Sequence, residues 1–376
     1  MALVNESGAG RVMYIQDLQA FHFKSYDFLE VSFHPHLNFL VGNNGQGKTN
    51  VLDMLYYLSL CKSPQRFPDT SLIQHNAQQA ILRGSYVAAE QTCSVAISIK
   101  PHTTKEVLYN DAPYERLTDH IGRIPLVAVY PQDIDLALDG GDLKRRFMNA
   151  TISQYAKEYL PTHQRYAQLL SQRNALLRGI PDETLLGALD EQLVSLGLQL
   201  YLQRKAFCEA LSPLFHYYYT LLAQSEEQPD LSYQSQLAEG DFLTQLREAR
   251  VRDLRMGYTT VGIQRDSIEF TLGGHPLRRE GSQGQQKTFV VALRLAQFRY
   301  LADLLHEPPL LLLDDIFDRF DAERVGRLIE LLNAEEFQQI FITDTTTPTV
   351  LRSLDAAAYS LFQVEKSTLT LQQSSC

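Results

Sequence analysis

The residues whose types and spacing point most directly to chemistry lie between positions 42 and 49. They match G-x-x-x-x-G-K-[ST], the pattern of a phosphate-binding loop, at every fixed position. In such a loop the backbone N–H groups point inward, the lysine reaches the β and γ phosphates, and the hydroxyl ligates Mg²⁺. The sequence therefore predicts an ATP site with Lys48 as a catalytic residue and Thr49 as a metal ligand. The predicted nucleotide-binding residues are Gly42, Asn43, Asn44, Gly45, Gln46, Gly47, Lys48 and Thr49.

The segments on either side of this loop have the patterns needed to position it. The apolar run 37–41 is typical of a strand buried on both faces. After the loop, Val51, Leu52, Leu55 and Leu58 recur at helical spacing, which places the phosphates at a helix N-terminus. A glycine-rich turn that merely joins strand to helix is the alternative, and the complete pattern in this context disfavours it.

Two acidic residues, Asp314 and Asp315, follow the fully apolar run 310–313. Acids at the end of a buried strand are the expected partners of a phosphate loop. Asp314 would hold Mg²⁺ through water, and Asp315 would act as the catalytic residue that polarises the attacking water. A helix cap is the alternative for one of them.

Gln132 and Asp133 follow a third apolar run, 124–130. Either residue could contact the Mg²⁺: the chemistry of its side chain favours Gln132, and its position in the sequence favours Asp133. A helix N-cap formed by Asp133 is an equally open interpretation.

A second candidate phosphate contact begins a long helical pattern. Apolar residues recur over 290–305, and the helix they predict starts at a Ser-Gln-Gly sequence. Its N-terminus suits an anion, and the Ser282 hydroxyl can donate to it. The predicted contacts are Ser282, Gln283, Gly284 and Gln285.

A basic stretch lies in an otherwise acidic chain. Residues 142–178 hold seven Lys or Arg against Asp142 and Glu158, whereas the 376-residue chain carries a net charge of −10. A DNA-facing surface and a solvated helix face are both consistent with this excess. The candidate DNA contacts are Lys144, Arg145, Arg146, Arg165 and Arg173.

Composition indicates a soluble globular protein large enough for two lobes, with 44% hydrophobic and 21% charged residues. Any DNA binding must come from a local patch and should weaken with salt. The four cysteines are widely spaced, which argues against disulfides and a zinc site. Without a signal peptide or an apolar run of about 18 to 20 residues, a cytoplasmic location away from membranes is expected.

The predicted fold class is α/β, with a parallel layer, an antiparallel layer built from 80–109 and a helical insertion. Residues 224–240 read as an exposed connection, and strand-like patterning resumes at about 258 in a hairpin ending at Gly273-Gly274. The predicted domains are a flexible extension at 1–12, a head at 13–141 and 258–376, and a helical lobe at 142–257.

Taken in order, GNNGQGKTNVLDMLYYLSL, SQGQQK and LLLLDD resemble the ABC-type ATPase heads of the SMC class, and within that class the RecF family of bacterial gap-repair ATPases. MYIQDLQAFHFKSYDF, RRFMN and VGIQRDS resemble further segments of that family. The chain departs from it at Asn149, where the family usually has aspartate, and at Gln264, where it usually has histidine.

The resemblance implies a slow, DNA-stimulated ATPase that uses ATP and Mg²⁺. ATP on the loop of one subunit would be closed over by Ser282 to Gln286 of a second subunit, giving an ATP-dependent homodimer. It also implies binding to double-stranded DNA and gapped junctions near the nucleoid, and partnership with RecR and, through it, RecO and RecA.

Two other functions stay open at this stage. One is a non-catalytic scaffold that ATP merely gates. The other is an ABC transporter subunit, which is disfavoured because its signature is normally LSGGQ, whereas residues 282–286 read SQGQQ.

Overall fold

The computed structural model describes residues 13–65, 67–88, 91–138, 140–179, 182–225, 227–317, 322–333, 337–346 and 359–374. The chain divides into two compact units, Met1–Pro131 with Phe298–Cys376, and Gln132–Gln297. Over the described ranges, no helix has the length and apolarity that crossing a bilayer requires.

The strands are β1 Met13–Phe23, β2 Tyr26–Ser32, β3 Leu37–Val41, β4 Ala80–Ala88, β5 Gln91–Ile99, β6 Glu106–Tyr109, β7 Ala112–Pro113, β8 Leu126–Val129, β9 Pro229–Gln234, β10 Ser267–Leu272, β11 His275–Pro276, β12 Leu310–Leu313, β13 Ile340–Asp344, β14 Tyr359–Glu365 and β15 Thr368–Ser374. The helices are α1 Lys48–Leu60, α2 Ile134–Leu138, α3 Gly141–Tyr155, α4 Tyr159–Arg178, α5 Glu183–Ala223, α6 Phe242–Met256, α7 Leu277–Glu280, α8 Gln283–Leu305 and α9 Ala322–Leu332.

The first unit contains a largely parallel sheet in the order β15-β14-β3-β13-β12-β8. Its strands β3, β8, β12 and β13 are buried along their whole length, as their continuous apolar runs predict. Strands β3, β13 and β12 run parallel to one another, so their carboxyl ends lie at the same edge. That edge carries the predicted phosphate loop after β3 and the predicted acids after β12.

An antiparallel sheet in the order β2-β1-β4-β5-β6-β7 forms the other layer of this unit. Residues from it and from α1, including Leu18, Leu52, Leu55 and Leu82, share one hydrophobic core. The strands predicted between 80 and 109 are confirmed. This core holds α1, and with it the start of the helix that follows the phosphate loop.

The second unit is mainly helical and contains a small sheet in the order β11-β10-β9. The interpretation of 224–240 as an exposed connection is wrong, since β9 lies within it, pairs with β10 and buries Leu231. The predicted hairpin is narrower than expected and consists of β10 and β11 around Gly273 and Gly274. Residues 258–266 form loop and 3-10 turn instead of strand.

The predicted helical lobe at 142–257 lies inside the second unit, which also includes 132–141 and 258–297. Pairing between β9 and β10 and an ion pair between Arg204 and Asp266 join the flanking residues to the helices. The predicted division into a head at 13–141 and 258–376 and a helical lobe at 142–257 stays a prediction.

Candidate nucleotide site and signature helix

The phosphate loop leaves β3 at Gly42 and enters α1 at Lys48 in a conformation that its glycines make possible. Gly47 has a φ of 108°, a region that side chains other than glycine rarely adopt. A Cβ atom on Gly42 would lie 2.2 Å from the carbonyl oxygen of Val364, so no side chain fits there. The strand, turn and helix predicted from the sequence are all present.

Lys48 is the charged centre of the loop. Its side chain is buried, and Nζ donates to the carbonyl oxygens of Gly42 at 2.6 Å and Asn43 at 3.3 Å. These contacts hold the ammonium group against the inner side of the loop. A phosphate seated on the loop would meet this charge together with the backbone N–H groups.

Two hairpin turns of the first unit brace the loop from outside. The Tyr26 hydroxyl donates to the carbonyl oxygen of Gly47 at 3.2 Å. From the turn between β14 and β15, the backbone N–H of Lys366 donates to Gln46 Oε1 at 2.7 Å, and that of Ser367 donates to the Gln46 carbonyl at 3.0 Å. The loop is therefore positioned by more than its own sequence, which favours a preorganised anion site.

The two predicted acids lie beside the loop. Thr49 Oγ1 donates to Asp314, with its oxygens at 3.0 and 3.1 Å. Thr343, at the end of β13, donates to Asp314 Oδ1 at 2.7 Å and accepts from the backbone N–H of Asp315 at 2.9 Å. The structure therefore brings Thr49, Asp314 and Asp315 together, and it adds Thr343, which sequence reasoning missed.

Burial gives the Asp314 carboxyl group an unusual affinity for protons. Desolvation raises its pKa to about 6, the neighbouring charges of Asp315 and Asp53 add to the effect, and hydrogen bonds from Thr343 and Thr49 oppose it. A carboxylate in this position gains most from a nearby cation. Both of its oxygens accept from threonine side chains, in place of the helix cap considered above.

Asp315 has a φ of 45°, in the left-handed region. Such a backbone conformation is strained for a residue other than glycine, and it recurs at functional sites. The residue is half-buried, in contrast to the buried Asp314. It therefore combines a fixed backbone with access to solvent, as a residue that orients water requires.

The residues present fit Mg²⁺ and a nucleoside triphosphate. Across the described ranges, no group of three or more His, Cys, Asp or Glu side chains is arranged to cage a metal. Mg²⁺ at nucleotide sites usually takes one or two protein ligands and completes its shell with phosphate oxygens and water. Thr49 and Asp314 suffice for such a site, whereas Ca²⁺ or a transition metal would need more ligands.

Gln132 and Asp133 belong to the second unit, in the 3-10 turn Pro131–Asp133. Gln132 is exposed, and its role as a Mg²⁺ ligand stays a prediction. Asp133 accepts from Arg294 through both oxygens, at 2.9 and 3.1 Å. Arg294 thus engages both Asp133 oxygens, and a role of Asp133 as a metal ligand stays a prediction.

Ser282 and Gln285 form a reciprocal cap at the start of α8. The backbone N–H of Gln285 donates to Ser282 Oγ at 3.2 Å, and that of Ser282 donates to Gln285 Oε1 at 2.6 Å. Gln285 Nε2 in turn donates to Glu227 at 2.6 Å. In this cap the Ser282 hydroxyl acts as an acceptor, so its O–H can donate to a group outside the helix, such as a phosphate. Glu227 supports Gln285, and this contact was not predicted from the sequence.

The sequence matches the family model of the RecF/RecN/SMC N-terminal domain over residues 14–370, almost the whole chain. The chain belongs to this family. It is 40% identical over 362 residues to the DNA replication and repair protein RecF of Bacteroides fragilis, covering 95% of this chain and 98% of that one. It is 41% identical over 357 residues to the protein of the same name from Parabacteroides distasonis, covering 94% and 98%.

Solved structures confirm the predicted ABC-type ATPase head fold. The structure of the recombination mediator protein RecF in complex with ATP, in the RecFOR pathway, superposes with a TM-score of 0.86 at 24% identity, over 96% of this chain and 99% of that one. The Smc head domain of Pyrococcus furiosus superposes with a TM-score of 0.58 at 15% identity, over 96% of both chains. The predicted membership in the RecF family is confirmed by the relatives at about 40% identity.

One predicted DNA contact of this RecF-family chain is wrong. Arg173 is completely buried, and its guanidinium donates to Asp190 at 2.6 Å, Asp253 at 2.8 Å and Thr259 at 2.9 Å. A buried arginine with these partners has no surface to offer to DNA, and its role is structural. Arg165, in contrast, is exposed on the same helix, so it stays a candidate.

The other three predicted DNA contacts lie at the start of α3 and take part in local interactions. Lys144 Nζ lies 4.5 Å from the ring centre of Phe270. Arg145 donates to a backbone carbonyl of the loop before β10 at 2.8 Å, and Arg146 pairs with Asp142. A role for Lys144, Arg145 and Arg146 in DNA binding stays a prediction.

Proposed function

We propose that this protein is an ATP-dependent DNA-binding ATPase that acts in recombinational repair of gapped DNA and stalled replication forks. The observation that carries the proposal is the cluster of Thr49, Asp314, Asp315 and Thr343 beside the phosphate loop. This cluster has the groups that a nucleotide hydrolase needs, in a family whose relatives are named as DNA replication and repair proteins.

In the proposed reaction each residue has a separate part. Lys48 and the loop N–H groups bind the β and γ phosphates, while Thr49 and Asp314 hold the metal. Bound Mg²⁺ would neutralise charge on the phosphate oxygens. Asp315 orients the attacking water, and Thr343 fixes both acids relative to each other.

The signature residues Ser282 to Gln285 would act in trans, on ATP bound to a second subunit. Each subunit then contributes half of two composite sites, so neither site is complete in a monomer. This division supports a homodimer that forms with ATP and separates after hydrolysis. It also predicts slow turnover that rises when DNA stabilises the dimer.

For partners, the proposal includes double-stranded DNA, junctions between single- and double-stranded DNA, and RecR acting with RecO to load RecA. The support is that a structural relative is a recombination mediator protein of the RecFOR pathway. A cytoplasmic location at the nucleoid follows from these partners. The relatives named above are DNA replication and repair proteins, which disfavours an ABC transporter subunit.

The alternative that survives is a scaffold that binds ATP without using hydrolysis, and Asp315→Asn tests it. We expect this variant to lower turnover by a factor on the order of 10² or more, because it removes the group that orients water. The lifetime of its complex with gapped DNA should lengthen. This lifetime is measured as the dissociation rate after dilution into excess unlabelled DNA.

Asp230→Asn is the matched control, since Asp230 is exposed and distant in sequence from the site. It should turn over ATP and release DNA as the unchanged protein does. If Asp315→Asn also kept wild-type turnover and retention, hydrolysis would not be part of the function and the scaffold would be correct.

A further inference from the structure

Four exposed arginines, one from the end of α4, two from α6 and one from the loop after α6, lie around the C-terminal end of α6. Arg252 and Arg255 lie one turn apart on the helix, where side chains three positions apart are neighbours. Arg178, at the end of α4, packs over Gly257, because a Cβ atom there would lie 3.0 Å from Arg178 Cγ. Arg265 lies over the ring of Tyr258, with 5.3 Å from its guanidinium carbon to the ring centre.

The loop between α6 and β10 is what gathers these residues. The backbone N–H and hydroxyl of Thr259 both bond to Asn174 on α4, at 2.8 and 2.7 Å. Further along, Gln264 accepts from the Tyr166 hydroxyl at 2.7 Å. The segment 258–265 therefore runs along α4 from Asn174 towards Tyr166, and the Arg265 side chain reaches the end of α6 through its contact with the Tyr258 ring.

All four guanidinium groups face solvent without a carboxylate partner. Arg178, Arg252, Arg255 and Arg265 are exposed, and within the described part of the chain none of them forms a salt bridge. Arg178 and Arg252 each donate one hydrogen bond, in both cases through Nε. Their paired Nη donors stay available for a ligand, with the planar geometry that matches phosphate oxygens.

The acids that stand next to Arg252 and Arg265 in the sequence point inward. Asp253 and Asp266 are completely buried, and they pair with the buried Arg173 and Arg204. At this place the carboxylates of Asp253 and Asp266 lie inside the unit, whereas the four arginines lie at its surface. In a chain with a net charge of −10, four unpaired arginines at one place form a concentrated anion-binding surface.

We propose that Arg178, Arg252, Arg255 and Arg265 form a surface, the α6 arginine surface, that binds the phosphate backbone of double-stranded DNA. This inference rests on the proposed DNA-binding function and assigns that function to residues. The contacts are to phosphates, so they contribute affinity and orientation without reading sequence. Tyr258 holds Arg265 in place through its ring.

The test is the salt dependence of DNA binding, measured by fluorescence anisotropy of a labelled duplex with ATP and Mg²⁺ between about 50 and 200 mM salt. The variant carries Arg252→Gln, Arg255→Gln and Arg265→Gln together. We expect at least a roughly tenfold loss of affinity and a log–log salt slope shallower by about 2.7, since each lost phosphate contact removes close to 0.9. Duplexes of unrelated sequence should show the same loss.

The matched control carries Lys100→Gln, Arg116→Gln and Lys205→Gln, which removes the same charge from three other exposed positions. It should bind DNA with the wild-type affinity and slope. Arg255→Glu is a second variant that guards against misfolding, because Arg255 makes no hydrogen bond among the described residues, and thermal unfolding should match the wild type while DNA affinity falls.

The outcomes separate this inference from the function it rests on. Absence of DNA binding by the unchanged protein in the presence of ATP would contradict the proposed function itself. Wild-type binding that both α6 variants retain, in affinity and in salt slope, would overturn the α6 arginine surface alone. An equal loss in the control would assign the effect to net charge and overturn it as well.

Discussion

Thr343 offers the sharpest test of how the site is held together. Its hydroxyl donates to Asp314 at 2.7 Å and accepts from the Asp315 backbone at 2.9 Å, so one atom fixes both acids. Thr343→Val keeps the shape of the side chain and removes that atom. The buried Asp314 carboxylate then loses a donor and the half-buried N–H of Asp315 loses its acceptor, which should lower the free energy of unfolding by about 1 to 3 kcal/mol.

The larger effect should be on turnover. Loss of a group that orients a metal ligand typically lowers metal affinity or activity by a factor of about 10 to 100. We therefore expect steady-state ATP hydrolysis by Thr343→Val to fall within that range, and its Mg²⁺ requirement to rise. The affinity for ATP without metal should change little, because Lys48 and the loop backbone are intact.

Thr343→Ser is the matched control, since it keeps the hydroxyl and removes only a methyl group. It should restore most of the turnover at saturating Mg²⁺. If Thr343→Val hydrolysed ATP as fast as Thr343→Ser at every Mg²⁺ concentration, the bridge between Asp314 and Asp315 would have no functional role and the reasoning would be refuted.

Two further predictions concern the helical unit. Burial, with a smaller effect from the charge of Arg204, lowers the pKa of His163 to about 4. Tyr159 and Arg204 already donate to the Asn149 side-chain oxygen. The Asn149 amide nitrogen is therefore the donor to His163 Nε2, which accepts as a neutral imidazole nitrogen. In the unfolded chain the His163 imidazole has a pKa near 6.5 and binds the proton more tightly than in the folded protein. The free energy of unfolding therefore decreases as the pH falls from 6.5 towards 4, by about 2 kcal/mol at pH 5. Urea unfolding of His163→Gln at pH 7 and 5 should lack this contribution, and identical pH dependence in the two proteins would contradict it. Arg173→Met leaves Asp190 and Asp253 buried without their common partner and should cost about 3 to 5 kcal/mol in urea unfolding, whereas Arg165→Met at the surface should cost less than about 0.5 kcal/mol.

The nucleotide half of the site was predictable because its signals are local. A strand, a loop and a helix follow one another in 24 residues, from 37 to 60, and each carries its own pattern. The acids after β12 were equally visible, since a run of four buried leucines ends at Asp314. Parallel pairing then brings these strand ends to one edge.

Contacts between distant segments were not predictable in this way. Thr343 meets Asp314 across neighbouring strands, and Glu227 meets Gln285 from 58 residues away. A strand end gives no sign of which hydroxyl will face a carboxylate. The contact between Thr343 and Asp314 follows only from the register of β12 and β13, which pairs Leu313 with Ile342 and so places the next residues side by side.

Charge counting was the least reliable guide. It grouped Arg173 with its exposed neighbours, although Arg173 is buried against two aspartates. It also overlooked Arg252 and Arg265, because their stretch of sequence contains acids that the fold turns inward. Net local charge says how many cations a segment has, whereas burial and pairing decide which of them a ligand can reach.

Sedimentation velocity with Mg²⁺ and ATP, with and without a gapped duplex, tests most directly the proposal that ATP joins two subunits. The comparison is between the unchanged protein, Ser282→Arg at the signature, and Ser195→Arg at an exposed position of α5 as the control. We predict a dimer that requires ATP, persists on DNA, is lost in Ser282→Arg and is kept in Ser195→Arg. A monomer under all conditions, or a dimer indifferent to ATP and to Ser282→Arg, would contradict the proposed composite site.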